Sequence, residues 1–180
     1  MAQGHPIEDP PGLAQLILVS RALSGAGVVH GLGGTGLLFA LGFNVRPRDW
    51  DILTDAPLEH IKLALASHPI TQVEQSATFP SDYLVEIPAD GSGVEIIGGF
   101  TIATPARVLR IPTRVTGRFR GVPLSHPADW ILAYRAMELL HGANDRDDRD
   151  KIRMLEKALK MKKRSEKPLA AISGRHVVSD

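Results

Sequence analysis

The sequence predicts an α/β (α+β) fold: a mixed β-sheet flanked by helices and followed by a C-terminal helical segment. Three observations point there. The strand-like stretches 82–87 ("DYLVEI") and 93–98 ("GVEIIG") flank Asp90-Gly91, a strong hairpin signal. Before them, segments of helical period alternate with segments of strand period, as in a sheet covered by helices. From Pro127 only the helical period is left, at Trp130, Tyr134 and Met137 and then at Ile152, Leu155 and Leu159.

The elements follow in order. Leu13, Leu16, Ile17 and Leu23 mark a first helix, opened by Pro10-Pro11 and closed by Gly25 and Gly27. Val28-Val29-His30 predicts a short strand, and a glycine-rich loop comes next. A short helix through Leu37, Leu38, Phe39 and Leu41 ends at Gly42. "DWDILT" (49–54) alternates like a strand, and "PLEHIKLALAS" (57–67) is an amphipathic helix with Leu58, Ile61 and Leu65 on one face. Further β-like sequence runs to Val122, after which Ser125 and Pro127 start the first C-terminal helix. The expected organisation is a core over 1–125, a helical segment over 126–162 and a flexible tail over 163–180.

Composition narrows the class. A net charge of +1 over 180 residues creates no field that demands a nucleic acid or membrane partner. Zero cysteines remove disulfide and thiolate chemistry and fit a cytoplasmic protein. "MAQGHPIEDPP" lacks the basic and apolar regions of a signal peptide. Residues 27–43 carry no formal charge, but six glycines and His30 interrupt them, so no membrane span is expected.

Gly31, Gly33 and Gly36 spell G-x-G-x-x-G, with Asp51 downstream, which is the spacing of a dinucleotide-binding fingerprint. In that fold the acid ends a buried apolar strand. Here "NVRPR" precedes Asp49 and Asp51, and proline and two arginines do not fit a buried parallel strand. A Rossmann-type protein is therefore the least favoured alternative.

A Gly-Gly-Thr turn followed by a D-x-D suits a different phosphate chemistry. Gly33, Gly34 and Thr35 can offer backbone amides to phosphate oxygens. Asp49 and Asp51 are two apart, so on an extended chain their carboxylates share a face. Arg46 and Arg48 could steady a phosphate. Paired carboxylates beside a phosphate cradle suit Mg²⁺, which takes few protein ligands plus substrate oxygens. If Asp90-Gly91 makes a two-residue turn, Ile87 pairs with Val94 and Glu86 faces Glu95. A cation would relieve that like-charge pair. Glu95, inside "VEII", is the candidate third acid, with Glu86 in reserve.

"GLGGTGLLFALGFNVRPRDWDIL" resembles the G-G-[ST] … D-x-D signature of the nucleotidyltransferase superfamily, whose fold is shared with DNA polymerase β. The later "VEII" is similar to its third metal ligand in kind and order. "GVPLSHPADWILAYRAMELLHGANDRDDRDKIRML" looks like the helical extension of small bacterial and archaeal members, including those of toxin–antitoxin and abortive-infection systems. The resemblance covers roughly residues 28–155. It implies that Gly34 and Thr35 hold triphosphate oxygens and that Asp49, Asp51 and Glu95 hold Mg²⁺, for which Mn²⁺ can substitute.

Several positions depart from the family pattern. Thr35 replaces the commoner serine, Glu95 the commoner aspartate, and Arg135 a frequent lysine. In the "KD…DI" pattern of the last helix, Asp148 and Ile152 fit, whereas Asp147 and Lys151 reverse the expected charges.

Other features carry less. None of the seven histidines has zinc spacing, and no nucleophile elbow occurs. Trp130 and Tyr134 are expected in the core rather than as a base-stacking platform. The basic run Lys151–Lys167 is expected to be a solvated helix face, with an RNA contact as the alternative. The function expected is metal-dependent transfer of a nucleoside monophosphate from a nucleoside triphosphate to a hydroxyl on a small molecule, protein or RNA. The alternative is an inactive relative that binds nucleotide or protein.

Overall fold

The computed structural model describes residues 9–141 and 146–165. In chain order the elements begin with α1 (Leu13–Gly25), β1 (His30–Leu32), α2 (Gly34–Ala40), β2 (Trp50–Thr54) and α3 (Leu58–Ala64). Strands β3 (Thr71–Val73), β4 (Tyr83–Ile87) and β5 (Val94–Gly98) follow. Next come β6 (Thr101–Ala103), β7 (Val108–Arg110), β8 (Val115–Phe119) and β9 (Val122–Ser125). Two helices, α4 (Pro127–His141) and α5 (Arg146–Ser165), complete the described chain.

Seven strands form one mixed sheet in the order β3-β4-β5-β2-β1-β9-β8, and β6 and β7 pair separately. β2 runs parallel to β5, and β1 parallel to β9; the other neighbours are antiparallel. The predicted α/β (α+β) class is the observed one.

Alternation along the strands separates two faces. Trp50, Ile52, Val94, Ile96, Val85 and Ile87 are buried on one face. There α1 packs, and Trp50 Nε1 donates to Pro11 O at 2.9 Å. Asp51, Glu95, Ile97 and Leu84 alternate with them and point the other way, toward α4 and α5. Trp130, Ala133, Tyr134, Ile152 and Leu155 are buried in the same core as the sheet residues, so the helical segment is an integral layer.

The first strand differs from the expected Val28–His30. The ladder begins at His30, which pairs with Thr54, and runs on to Leu32. Val28 and Val29 spend their carbonyls on side chains instead, bonding His30 Nδ1 and Thr54 Oγ1, each at 2.8 Å. Val29 is exposed.

The hairpin register is the predicted one, with Ile87 opposite Val94 and Glu86 opposite Glu95. Its connection is longer than a two-residue turn: the strands end at Ile87 and Val94, and Asp90-Gly91 lies inside the intervening loop. Helix α5 continues through Ser165, into the stretch expected to be tail. The rest of the expected tail (166–180), the N-terminal residues 1–8 and residues 142–145 lie outside the described residues. Among the described residues no helix is long and apolar enough to cross a membrane.

Candidate active site

The carboxylates are brought together by strand pairing. In the parallel pair of β2 and β5, Asp51 lies directly opposite Glu95. Pleating turns both toward the same face, since their neighbours Trp50, Ile52, Val94 and Ile96 are buried on the other. Asp49, exposed just before β2, adds a third negative charge that acts on both.

Electrostatics record the crowding. Burial first, then the charges of Asp49 and Glu95, push the Asp51 carboxyl up to about 7, and the Lys151 charge opposes this in part. Burial followed by the charges of Asp49 and Glu86 raises Glu95 as well. Opposed carboxylates in a partly desolvated cleft favour a proton or a cation between them. A deprotonated set of this kind is an all-oxygen donor group, the chemistry of a hard divalent ion. Among the described residues no group of three or more His, Cys, Asp or Glu side chains is arranged to hold a metal ion.

The glycines of the Gly-Gly-Thr turn have separate jobs. Gly34 has φ +54°, and a Cβ there would sit 1.8 Å from Asp51 Oδ2, so the carboxylate rests where a side chain would be. A Cβ on Gly33 would meet the Trp130 indole at 2.0 Å. The Gly33 N–H is also taken, donating to Asp51 O at 2.8 Å. Gly34 and Thr35 line the cavity beside the acids; Gly33 supports it from below without lining it.

The cavity holds about 460 Å³, and its two ends differ. Gly34 and Thr35, directly after β1, line it beside the acids, and Arg46, Arg48 and Lys151 are its cations. On the β4 side the wall is largely apolar, with Phe79, Leu84, Ile97, Phe100 and Met137, and Glu74, Gln75 and Ser76 contribute polar groups. Trp130 and Tyr134 are buried as expected, yet both also form part of the wall. Trp130 stacks on Phe100 with centroids 5.6 Å apart, and its Nε1 finds no hydrogen-bond partner among the described residues.

Arg135 is not at this site. It is exposed and bonds Glu156 at 3.1 Å. The cation that reaches the cavity from the helical segment is Lys151, which sequence reasoning placed on a solvated face. A signal was available: Asp148, Ile152 and Leu155 form the inward stripe of α5, and Lys151 lies within that spacing.

Comparison with solved structures fits this architecture. A candidate nucleotidyltransferase from Thermotoga maritima aligns over 85% of this chain and 91% of its own, at TM-score 0.52 and 20% identity. The crystal structure of ANT(2'')-Ia in complex with adenylyl-2''-tobramycin aligns over 83% of this chain and 92% of its own, at TM-score 0.55 and 16% identity. The solution structure of the same antibiotic-resistance factor gives TM-score 0.53 and 12% identity over 83% and 85% of the two chains. No protein-family model matches the sequence, and no curated protein matches it. The chain has the nucleotidyltransferase fold.

Proposed function

We propose that the protein is a metal-dependent nucleotidyltransferase that moves a nucleoside monophosphate from a nucleoside triphosphate to a hydroxyl acceptor. The observation that carries this is the convergence of Asp49, Asp51 and Glu95 on one cavity, directly beside Gly34 and Thr35. The fold supports the same kind of reaction, since one neighbour holds adenylyl-2''-tobramycin.

Asp49, Asp51 and Glu95 would hold Mg²⁺, or Mn²⁺ in its place. When bound, the ion supplies charge neutralisation at the α-phosphate and leaving group. The Gly34 N–H and the Thr35 hydroxyl hold triphosphate oxygens, with Arg48 and Arg46 in the same cavity lining. Glu95 lies toward β4 and so borders the apolar end, where the body of the acceptor fits. The acceptor oxygen forms a bond to the α-phosphorus, the bond to the β-phosphate oxygen breaks, and pyrophosphate leaves. The hydroxyl proton passes to the carboxylate set. Substrate positioning and charge neutralisation carry most of the catalysis in phosphoryl and nucleotidyl transfer.

Titration calorimetry with each nucleoside triphosphate, in Mg²⁺ and in EDTA, tests the reading. Binding is expected with Mg²⁺ and strongly weakened by EDTA. Equal binding under both conditions would overturn it. An α-labelled triphosphate incubated with protein and cell extract would then identify the acceptor.

A further inference from the structure

The segment that joins β3 to β4 has been given no role so far, although it builds one wall of the cavity. Gln75, Ser76, Phe79 and Ser81 from this segment line the cavity, and Leu84 continues the wall on β4. In the sheet β4 lies beyond β5, so this wall stands past Glu95, on the side away from β2. No helix or strand holds residues 74–82, so their own hydrogen bonds must fix the wall.

Those bonds engage its polar side chains. With its amide oriented to satisfy both neighbours, Gln75 donates through Nε2 to Phe79 O and accepts through Oε1 from Leu84 N, each at 2.9 Å. Ser76 Oγ accepts from the Phe79 N–H, and Ser81 Oγ from the Thr101 N–H, both at 3.1 Å. The Thr78 carbonyl accepts from the Ala103 N–H at 2.8 Å. Trp130 Nε1 is buried, and a Cβ on Gly33 would lie 2.7 Å from it, so it faces the glycine turn rather than open space. Glu74 is exposed and keeps its own water. What the wall offers a ligand is therefore chiefly carbon: the rings of Phe79, Phe100, Trp130 and Tyr134, with Leu84 and Met137.

A body buried against this wall must bring few polar groups of its own. Each hydroxyl of a sugar or amino sugar placed there would give up water without gaining a partner. An aromatic body has no such cost, and rings pack well edge-on or offset against other rings. Size points the same way, since about 460 Å³ must also take the phosphates. Resting on the transferase reading, we infer that the acceptor is a compact aryl alcohol: one aromatic ring bearing a single hydroxyl, directly or on a short chain. The ring lies on the wall and the hydroxyl meets the acids at Glu95. Gln75 is a positioning residue, which ties Phe79 to Leu84 and so keeps the wall in place. The alcohol oxygen bonds to the α-phosphorus, pyrophosphate leaves, and the hydroxyl proton passes to the carboxylate set. The product is a phosphodiester between the nucleoside and the aryl alcohol.

The test has a binding arm and a transfer arm. Ligand-observed NMR measures binding of 4-ethylphenol and 2-phenylethanol, alone and with each nucleoside triphosphate and Mg²⁺. Both alcohols should bind, and the triphosphate should not displace them. Leu84→Asn and Phe79→Ser should each weaken alcohol binding roughly tenfold, with triphosphate binding measured beside it as the reference. In the transfer arm, α-labelled triphosphates are offered with the same alcohols, glucose, tobramycin and an oligoribonucleotide. Label should pass to the aryl alcohols at least roughly ten times faster than to the others. Gln75→Leu should raise KM for the alcohol and leave kcat nearly unchanged. Gln75→Glu, which still accepts from Leu84 N but cannot donate to Phe79 O, should fall between. Melting temperatures identify any misfolded variant, and the two wall substitutions give independent readings.

Equal or faster transfer to glucose, tobramycin or the oligoribonucleotide would overturn the inference. Displacement of the alcohols by triphosphate would also overturn it, because the wall would then hold the nucleobase. A Gln75→Leu variant with lower kcat and unchanged KM would remove the positioning role. If the unmodified protein binds the alcohols but no triphosphate, the transferase reading fails while the aromatic wall stands. If it binds triphosphate but neither alcohol, the wall assignment fails while the transferase reading stands.

Discussion

Asp51 faces Glu95 across the parallel pair of β2 and β5, so strand register sets these like charges side by side. Burial and the neighbouring acids push Asp51 up to about 7, so its charged form opposes folding when no cation is present. The sign follows from linkage. Between the ordinary value of 3.8 and about 7 the folded chain binds more protons than the unfolded one, so stability falls as pH rises through this window. In EDTA, Asp51→Asn is expected to be at least as stable as the parent above pH 7, and the parent's advantage should return on acidification. Millimolar Mg²⁺ should raise the parent's melting temperature, by ~2.7 kcal/mol of stabilisation at about a hundred times its Kd. It should leave Asp51→Asn unmoved. Paired melts across pH, with and without Mg²⁺, check this; a metal-independent loss of stability in the mutant would count against the acid as a ligand.

Glu95 and Glu86 face each other across β4 and β5, but only Glu95 lines the cavity. Glu95→Gln should lower turnover on the order of a hundredfold, about 3 kcal/mol of transition-state stabilisation. Glu86→Gln should retain most of it. Pyrophosphate release is the measurement, and the reverse ranking would move the third acid to β4.

Gly34→Ala should disable the site by geometry alone. The new Cβ would meet Asp51 Oδ2 at 1.8 Å in a backbone with φ +54°. The left-handed conformation costs a residue with a side chain roughly 1–2 kcal/mol, and the carboxylate must also move away. Expected are a lower melting temperature and loss of the Mg²⁺ response. A mutant that kept the response would show that Asp51 does not need its place against Gly34.

His30 supplies an acid-sensitive point away from the cavity that Asp51 and Glu95 line. It is buried, its Nδ1–H donates to Val28 O, and its Nε2 accepts from Ser20 Oγ at 2.8 Å. Burial lowers its pKa from 6.5, so the neutral ring is the folded form. Its contribution to stability is complete above 6.5 and is lost as pH falls from there through the depressed folded value. His30→Phe should cost ~1–3 kcal/mol at pH 8 by leaving the Val28 carbonyl and Ser20 hydroxyl unpaired. The difference from the parent should shrink toward pH 5. Urea titrations at the two pH values measure both effects.

Much of the fold was legible because burial imposes a period. Centring the hairpin on Asp90-Gly91 gave the register that puts Glu86 opposite Glu95, although the connecting loop is longer than the turn assumed. The D-x-D spacing likewise put two acids beside one strand face. What stayed hidden depended on tertiary neighbours. The first strand begins at His30 because Thr54 pairs with it and takes the Val29 carbonyl as well, a partner more than twenty residues away. Gly33 looked like a phosphate ligand, yet its N–H and its open Cα are used by Asp51 O and the Trp130 ring. Lys151 was submerged in a basic run, and only the packing of α5 shows which of those cations faces inward.

The chain's two tryptophans sit on opposite sides of β2. Trp50 is anchored to Pro11 beneath α1, whereas Trp130 stacks on Phe100 in the cavity wall. The molecule thus carries two optical probes with separate views. Trp50→Phe would leave a single tryptophan in the cavity wall, and Trp130→Phe a single tryptophan in the opposite layer. Binding and unfolding could then be followed as separate signals without attaching any dye.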